Sequence, residues 1–171
     1  MQLPAPEVSM LDGNWMEDLT RPGTGGAVGW AEIIVGHDLG FLGPEAVLAW
    51  IGGQHLAGEA CQALLACGEE GGNFDRLLRL ACIEAIGHPI RIGHRAWMGA
   101  QDRWRKALIL RALGTERTVR GLARTLEDIY EGAGCPEDML PLWCLRDGRR
   151  SVDFHALGRF LGAPGAGLSA A

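Results

Sequence analysis

The residues best placed by type and spacing to bind a charged ligand are three arginines late in the chain. Arg117, Arg120 and Arg124 recur at positions i, i+3 and i+7, which puts them on one face of a helix. They end a basic stretch, residues 91–124, with nine Lys/Arg against two Asp/Glu. Because guanidinium groups on such a face bind phosphate oxygens, one interpretation is an anion- or nucleic-acid-binding surface. The net charge of the whole chain, −5, weighs against nucleic acid as the main partner.

Acidic residues dominate the other end of the chain. The first 75 residues carry eleven Asp/Glu and one Lys/Arg, a net charge of −10, whereas the remaining 96 carry ten and fifteen, a net charge of +5. Such asymmetry is typical of a protein with a charged partner or of two halves that face each other, within one chain or across a homodimer. We predict a docking face for a basic protein, with a solvated surface as the alternative. Its candidate residues, all near predicted helix ends and loops, are Asp38, Glu45, Glu59, Glu69, Glu70 and Asp75.

The sequence lacks the patterns that signal catalysis or a bound cofactor. Its five histidines are scattered, and no His or Cys pair has zinc-ligand spacing. The run Gly23-Thr24-Gly25-Gly26 lacks the Lys-Ser/Thr of a phosphate-binding loop, and no G-x-S-x-G motif is present. We therefore expect a non-enzymatic protein with no catalytic residue, no metal and no cofactor.

The cysteines and the apolar segments indicate the compartment. Five cysteines without C-x-x-C spacing are typical of reduced, buried thiols. No apolar stretch reaches the 18 or so residues that cross a bilayer, and the N-terminus does not resemble a secretory signal. We expect a cytoplasmic protein that does not enter membranes.

Apolar periodicity places the candidate residues on helices. Trp30, Ile33 and Ile34 share one helical face, and a helix should run from Pro44 to about Gly52. Further helices are predicted after Asn73, from about Gln101 and from about Val119, and Ser151 is the predicted cap of the last one. Their buried positions are predicted at Phe74, Leu77, Leu78, Ala81, Cys82, Ala85, Trp104, Leu108, Val119, Leu122, Ala123, Leu126, Ile129 and Tyr130.

These elements predict an all-α protein, either an irregular helical bundle or a short stack of helix pairs. No alternation of apolar and polar residues persists long enough to indicate a sheet. We expect a loosely ordered arm over residues 1–26, a single helical domain over residues 27–162 and a flexible tail over residues 163–171.

Two segments of the chain combine helix starts and stops in a characteristic order. The first is Gly29-Trp30-Ala31-Glu32 followed by Gly36-His37-Asp38-Leu39-Gly40-Phe41-Leu42-Gly43-Pro44-Glu45-Ala46-Val47. The second is Leu126-Glu127-Asp128-Ile129-Tyr130 with Cys135-Pro136-Glu137-Asp138 and Pro141. Both resemble segments of a bacterial family known as domain of unknown function 2247, the first being similar to its opening helix–turn–helix. The resemblance spans about half the chain.

Small acidic helical members of that family look like the immunity proteins of bacterial toxin systems. The resemblance therefore implies a protein that binds and blocks a toxin, for example a basic nuclease. It implies no catalytic residue, because the family has no established activity.

Overall fold

The computed structural model of the chain describes residues 14–54, 56, 58–69, 72–146 and 149–162. Over this part, eight α-helices, one 3-10 helix and a two-stranded sheet are present, which confirms the predicted all-α class. No helix among the described residues is long and apolar enough to cross a membrane. The helices are α1 (Trp15–Thr20), α2 (Trp30–Asp38), α3 (Pro44–Gly53), α4 (Glu59–Cys67), α5 (Phe74–Ile86), α6 (Arg95–Thr115), α7 (Val119–Gly132), the 3-10 helix (Glu137–Leu142) and α8 (Phe154–Phe160).

The described residues divide into two compact units. The first comprises the described parts of Met1–Trp15 and Val28–Asp102, and the second those of Met16–Ala27 and Arg103–Ala171. The boundary within α6 lies between Asp102 and Arg103. This division is finer than the single helical domain that the sequence predicted over residues 27–162.

Helices α2 to α5 form the main packing of the first unit, and each packs against the next helix or against α5. Helix α2 packs against α3 and α5, and α4 packs against α3 and α5. The indole rings of Trp30 and Trp50 meet edge to face, with ring centroids 5.2 Å apart. The predicted buried positions Ile33, Ile34 and Leu78 are each at most 1% exposed. Helical periodicity therefore located the centre of these apolar faces, but it was wrong at their edges, where Leu77 is half-buried and Ala85 is exposed.

In the second unit, the strongly amphipathic helix α7 lies against strand β2 (Arg149–Val152), and α8 packs on the 3-10 helix. Leu126 and Ile129 of α7 are buried, as predicted, and Met139 of the 3-10 helix is fully buried. The hydroxyl of Thr118 accepts a hydrogen bond from the Gly121 N–H at 3.0 Å and so caps α7.

Helix α6 begins six residues before the predicted start near Gln101. It starts at Arg95, and Trp97, Ala100 and Trp104 are buried on it at helical spacing. The glycines at positions 93 and 99 concealed this start in the sequence. Gly93 lies outside the helix with φ +79°, whereas Gly99 lies inside it. Burial of the two indoles outweighs the small helical cost of one glycine.

The arm predicted to be loosely ordered over residues 1–26 contains a helix where it is described. Helix α1 buries Trp15 and Leu19, and residues 1–13 lie outside the described part. The loop after α1 is fastened by Arg103, whose guanidinium donates hydrogen bonds to the carbonyl oxygens of Leu19, Gly26 and Ala27. A distant arginine thus orders a segment whose glycines and proline indicate only a linker.

The small sheet was not predicted. Strand β1 (Trp143–Arg146) pairs antiparallel with β2, in a register that places Trp143 opposite Val152. Each strand has four residues, too short for a convincing alternation of apolar and polar positions. The edge-to-face contact of Trp143 with Tyr130, at 5.3 Å between ring centroids, anchors the start of the hairpin to α7.

The cap of the last helix is Asp153, and the prediction of Ser151 was wrong. Ser151 lies inside β2, opposite Cys144. The carboxylate of Asp153 accepts hydrogen bonds from the backbone N–H groups of His155 at 3.0 Å and Ala156 at 2.9 Å. The unpredicted hairpin uses the residues before Asp153, so the helix starts two residues later.

We expect Asp153→Ala to destabilise α8 and Ser151→Ala to have a much smaller effect. The hydrogen bond from the Ala156 N–H lowers the pKa of Asp153, so folding favours the ionised carboxylate. The resulting stabilisation is complete above the ordinary Asp pKa of about 3.9 and is lost as the pH falls through the lower folded-state value. Urea denaturation at neutral pH and at about pH 2.5 measures both effects. An Asp153→Ala penalty that is equal at the two pH values would contradict this assignment.

Candidate functional site

Asp38, a predicted docking residue, is occupied by contacts within the first unit. Its carboxylate forms an ion pair with Arg79 of α5 and accepts a hydrogen bond from the Trp97 indole N–H at 3.3 Å. The Asp38 side chain is only 11% exposed. This geometry contradicts the prediction that Asp38 faces a partner, because the carboxylate instead joins α2 to α5 and α6.

Asp75 is also paired, but it stays accessible. Its carboxylate oxygen lies 2.7 Å from Nε2 of His37, and the His37 ring packs on Phe74 with centroids 5.3 Å apart. Nδ1 of His37 lies 3.4 Å from the carbonyl oxygen of Leu42. The pair ties the end of α2 to the start of α5, while the Asp75 side chain remains 82% exposed. Asp75 can therefore contribute charge to a surface, although its first role is structural.

Three of the predicted docking residues have exposed carboxylates. Glu45 lies in the first turn of α3, Glu59 is the first residue of α4, and Glu69 follows the end of α4. Among the described residues, none of the three makes an ion pair. Glu70 lies outside the described residues. The exposed negative charge of the first unit therefore resides mainly on glutamates at helix ends.

A further carboxylate, missed by the sequence analysis, lies next to Glu59. Glu84 of α5 accepts hydrogen bonds from the backbone N–H groups of Glu59 and Ala60, both at 2.9 Å, and so caps α4 from a neighbouring helix. A Cβ at Gly58 would lie 2.1 Å from a Glu84 carboxylate oxygen, so glycine leaves room for this cap. The N-terminal end of α4 is thereby fixed beside α5.

The outward face of α5 carries adjacent aliphatic side chains that the sequence analysis left unassigned. Leu80, Ile83 and Ile86 succeed one another at i+3 spacing, on the side opposite the buried face, and are 43%, 38% and 37% exposed. We call these three residues the α5 apolar strip. Ile92, between α5 and α6, is 76% exposed. The sequence does contain a sign of this strip, because the three aliphatic residues do not share the helical face of the predicted buried positions of α5.

Much of the predicted basic stretch is used inside the second unit. Arg105 is 7% exposed, pairs with Asp138 at 2.5 Å and lies over the ring of Phe160. Arg111 pairs with Asp18 at 3.6 Å, and Arg103 binds carbonyl oxygens as described above. These arginines are structural, which reduces the basic surface that the sequence predicted.

Arg117, Arg120 and Arg124 are exposed, but Arg117 lies before the first residue of α7, so the prediction that all three share one helical face is wrong for Arg117. Among the described residues none of them forms an ion pair, although Asp128 lies four residues after Arg124 on α7. The neighbouring carboxylates have other partners. Glu116 accepts a hydrogen bond from the Thr125 hydroxyl at 2.8 Å, and Glu127 pairs with Arg150. The arginine face of α7 is thus available to a ligand.

The cysteines differ from the prediction at three positions, since Cys67 and Cys144 are only half-buried and Cys135 is exposed. All five are free, and Cys61 and Cys82 are buried, which raises the pKa of both thiols. Cys135 is exposed instead, in a left-handed conformation with φ +58° after the end of α7. Within the described ranges, no group of three His, Cys, Asp or Glu residues is arranged to hold a metal ion.

No protein-family model matches the chain, and no curated protein or solved structure is similar enough to match it. The resemblance to the domain of unknown function 2247 family therefore stays a prediction. The function must therefore be inferred from the exposed side chains: the α5 apolar strip and the glutamates of the first unit, and the arginines of the second unit.

Proposed function

We propose that this chain is a protein-binding module that docks a basic partner over the α5 apolar strip of its first unit. The observation that carries the proposal is the exposure of three adjacent aliphatic side chains on a helix whose other face is already buried. Single exposed aliphatic residues need no explanation, but a contiguous set on one helix face is typical of an interaction surface.

Carboxylates border one side of this strip, whereas Arg76, four residues before Leu80 on α5, borders it on another. Glu84 follows Leu80 by four residues on α5, so the two side chains are neighbours on the helix surface. Glu84 also binds the backbone at Glu59, which places the first residue of α4 beside the same edge. An apolar centre with charged groups at its rim is the usual arrangement of a protein interface. The rim carboxylates favour a basic partner and accelerate its association.

The resemblance described above adds a biological role to this proposal. A small protein that binds through an apolar and acidic face is suited to cover a basic toxin such as a nuclease. The toxin would be blocked by occlusion, so the chain would act by binding and not by catalysis.

A capture experiment followed by a measured affinity tests the proposal. The wild-type chain and the Leu80→Ser/Ile83→Ser variant are immobilised, proteins of the native host are passed over both, and a protein retained only by the wild type is purified. We expect the variant to bind this purified protein at least about tenfold more weakly, because serine cannot replace the buried aliphatic area. The control is Leu140→Ser, which changes an exposed leucine of the second unit and should leave the affinity unchanged.

Charge reversal tests the acidic rim separately. The Glu59→Lys variant reverses a rim carboxylate and leaves Glu84 in place, so it should slow association and flatten its salt dependence, with a smaller effect on dissociation. Equal affinity of wild type, strip variant and rim variant for the purified protein would overturn the proposal. Retention of nucleic acid by the wild-type chain, with no protein partner, would also overturn it.

A further inference from the structure

The outward face of α7 carries charges of both signs in a fixed order. Arg120, Arg124, Asp128 and Glu131 follow one another at spacings of four, four and three residues, which places them in one stripe along the helix. All four are exposed, and none forms an ion pair among the described residues. We call these four residues the α7 charge stripe. Its first half is basic and its second half acidic.

Helix stability does not explain this order of charges. The N-terminal end of a helix is partially positive and its C-terminal end partially negative, so basic residues are favoured late in a helix and acidic residues early. The α7 charge stripe has the opposite order. Arg124 and Asp128 are spaced at i, i+4 but form no ion pair within the described part of the chain. The stripe therefore stabilises α7 neither through the helix dipole nor through that pair. An external surface with the reverse order of charges would match it.

A polyanion does not have that order. Arg120 and Glu131 are separated by about 16 Å along the helix axis, at a rise of about 1.5 Å per residue. A nucleic acid strand lying along the stripe would place phosphates against Asp128 and Glu131 as well as against the arginines. The acidic half would therefore repel what the basic half attracts.

We propose that the partner of this stripe is α7 of a second copy of the chain, packed antiparallel to the first. In an antiparallel pair, a step toward the N-terminus of one helix matches a step toward the C-terminus of the other. If Arg124 lies opposite Asp128 of the second copy, Arg120, one turn earlier, therefore lies opposite Glu131 of the second copy, which is one turn later. Two-fold symmetry repeats both pairs, so each interface contains four ion pairs.

This pairing is weak and depends on salt. Ion pairs between exposed side chains contribute little individually, and salt screens them. The dimer should therefore form at high protein concentration and low ionic strength. Its affinity should fall at least about tenfold between about 20 mM and about 500 mM salt.

Complementary single-sign variants give a sharp test by sedimentation equilibrium of the full chain. Arg120→Glu/Arg124→Glu makes the stripe wholly acidic, and Asp128→Arg/Glu131→Arg makes it wholly basic. Each variant alone should be monomeric at low salt, because two stripes of the same sign repel. An equimolar mixture of the two should form a heterodimer at least as tight as the wild-type dimer, and high salt should dissociate it.

The control matches the change in net charge. Arg76→Glu/Arg91→Glu alters two exposed arginines outside α7 by the same amount, and it should dimerise like the wild type. Circular dichroism of every variant checks that the helices are retained. Three outcomes would overturn the proposal: a monomeric wild type at low salt, a mixture that does not associate, or binding of a DNA or RNA oligonucleotide that the acidic variant abolishes without any change in association state. Because α7 belongs to the second unit, these results do not depend on the partner proposed for the α5 apolar strip.

Discussion

Replacing Trp104 by alanine should reduce the free energy of unfolding of the second unit by about 3–5 kcal/mol. Trp104 is 0% exposed and has the largest side chain among the fully buried residues of the described chain. Its removal loses the transfer free energy of the indole and leaves a cavity that rigid helices fill only in part. The affected transition should be visible in urea denaturation followed by circular dichroism.

Met98 provides the control for an exposed position of the same helix, in the part of α6 that belongs to the first unit. Its side chain is 56% exposed, so Met98→Ala should change the free energy of unfolding by no more than about 0.5 kcal/mol. Trp104→Phe should lie between the two, since it keeps an aromatic ring in the same space. A Trp104→Ala loss no greater than that of Met98→Ala would show that this part of α6 is not packed as described.

Replacing Asp38 by alanine should cost about 2 kcal/mol, although sequence reasoning assigned this residue to partner binding. The substitution leaves the Arg79 guanidinium and the Trp97 indole N–H without their acceptor. Trp97 is buried, so water cannot readily replace the lost hydrogen bond, whereas the exposed part of Arg79 limits the loss. Thermal and urea denaturation measure the change in stability of the first unit.

Glu45→Ala is the comparison for Asp38→Ala. Glu45 is exposed and makes no ion pair among the described residues, so its removal should change stability by about 0.5 kcal/mol or less. A double-mutant cycle with Arg79→Ala should show coupling with Asp38. Equal stabilities of the Asp38→Ala and Glu45→Ala variants would restore Asp38 as a surface residue.

The helical elements were largely predictable, because their signals lie within a few residues of one another. The apolar stripe of α7 and the stop signals around α5 placed both helices correctly, and the stripe of α7 also indicated that Arg120 and Arg124 point outward. The start of α6 is not predictable in the same way, although Trp97, Ala100 and Trp104 are at helical spacing. Gly93 and Gly99 interrupt the local helical signal, and only the burial of the indoles extends the helix past Gly99.

The candidate sites were less predictable, because exposure depends on partners far away in the chain. Asp38 and Glu45 both lie near helix ends, and nothing local distinguishes them. Only Arg79, 41 residues later, and Trp97, 59 residues later, make Asp38 structural. In the same way, Arg105 and Arg124 belong to one basic stretch, but Asp138 binds only the first of them.

By itself, the sequence determined the helical class, the buried face of most helices and the order of charges along α7. These properties follow from the spacing of residues within one helix, where periodicity fixes which side chains share a face. The tertiary structure alone decided which charges are neutralised, which aliphatic residues of α5 remain uncovered and how the loop after α1 is held. Those outcomes depend on contacts between segments distant in sequence, which the periodicity of a single helix does not encode.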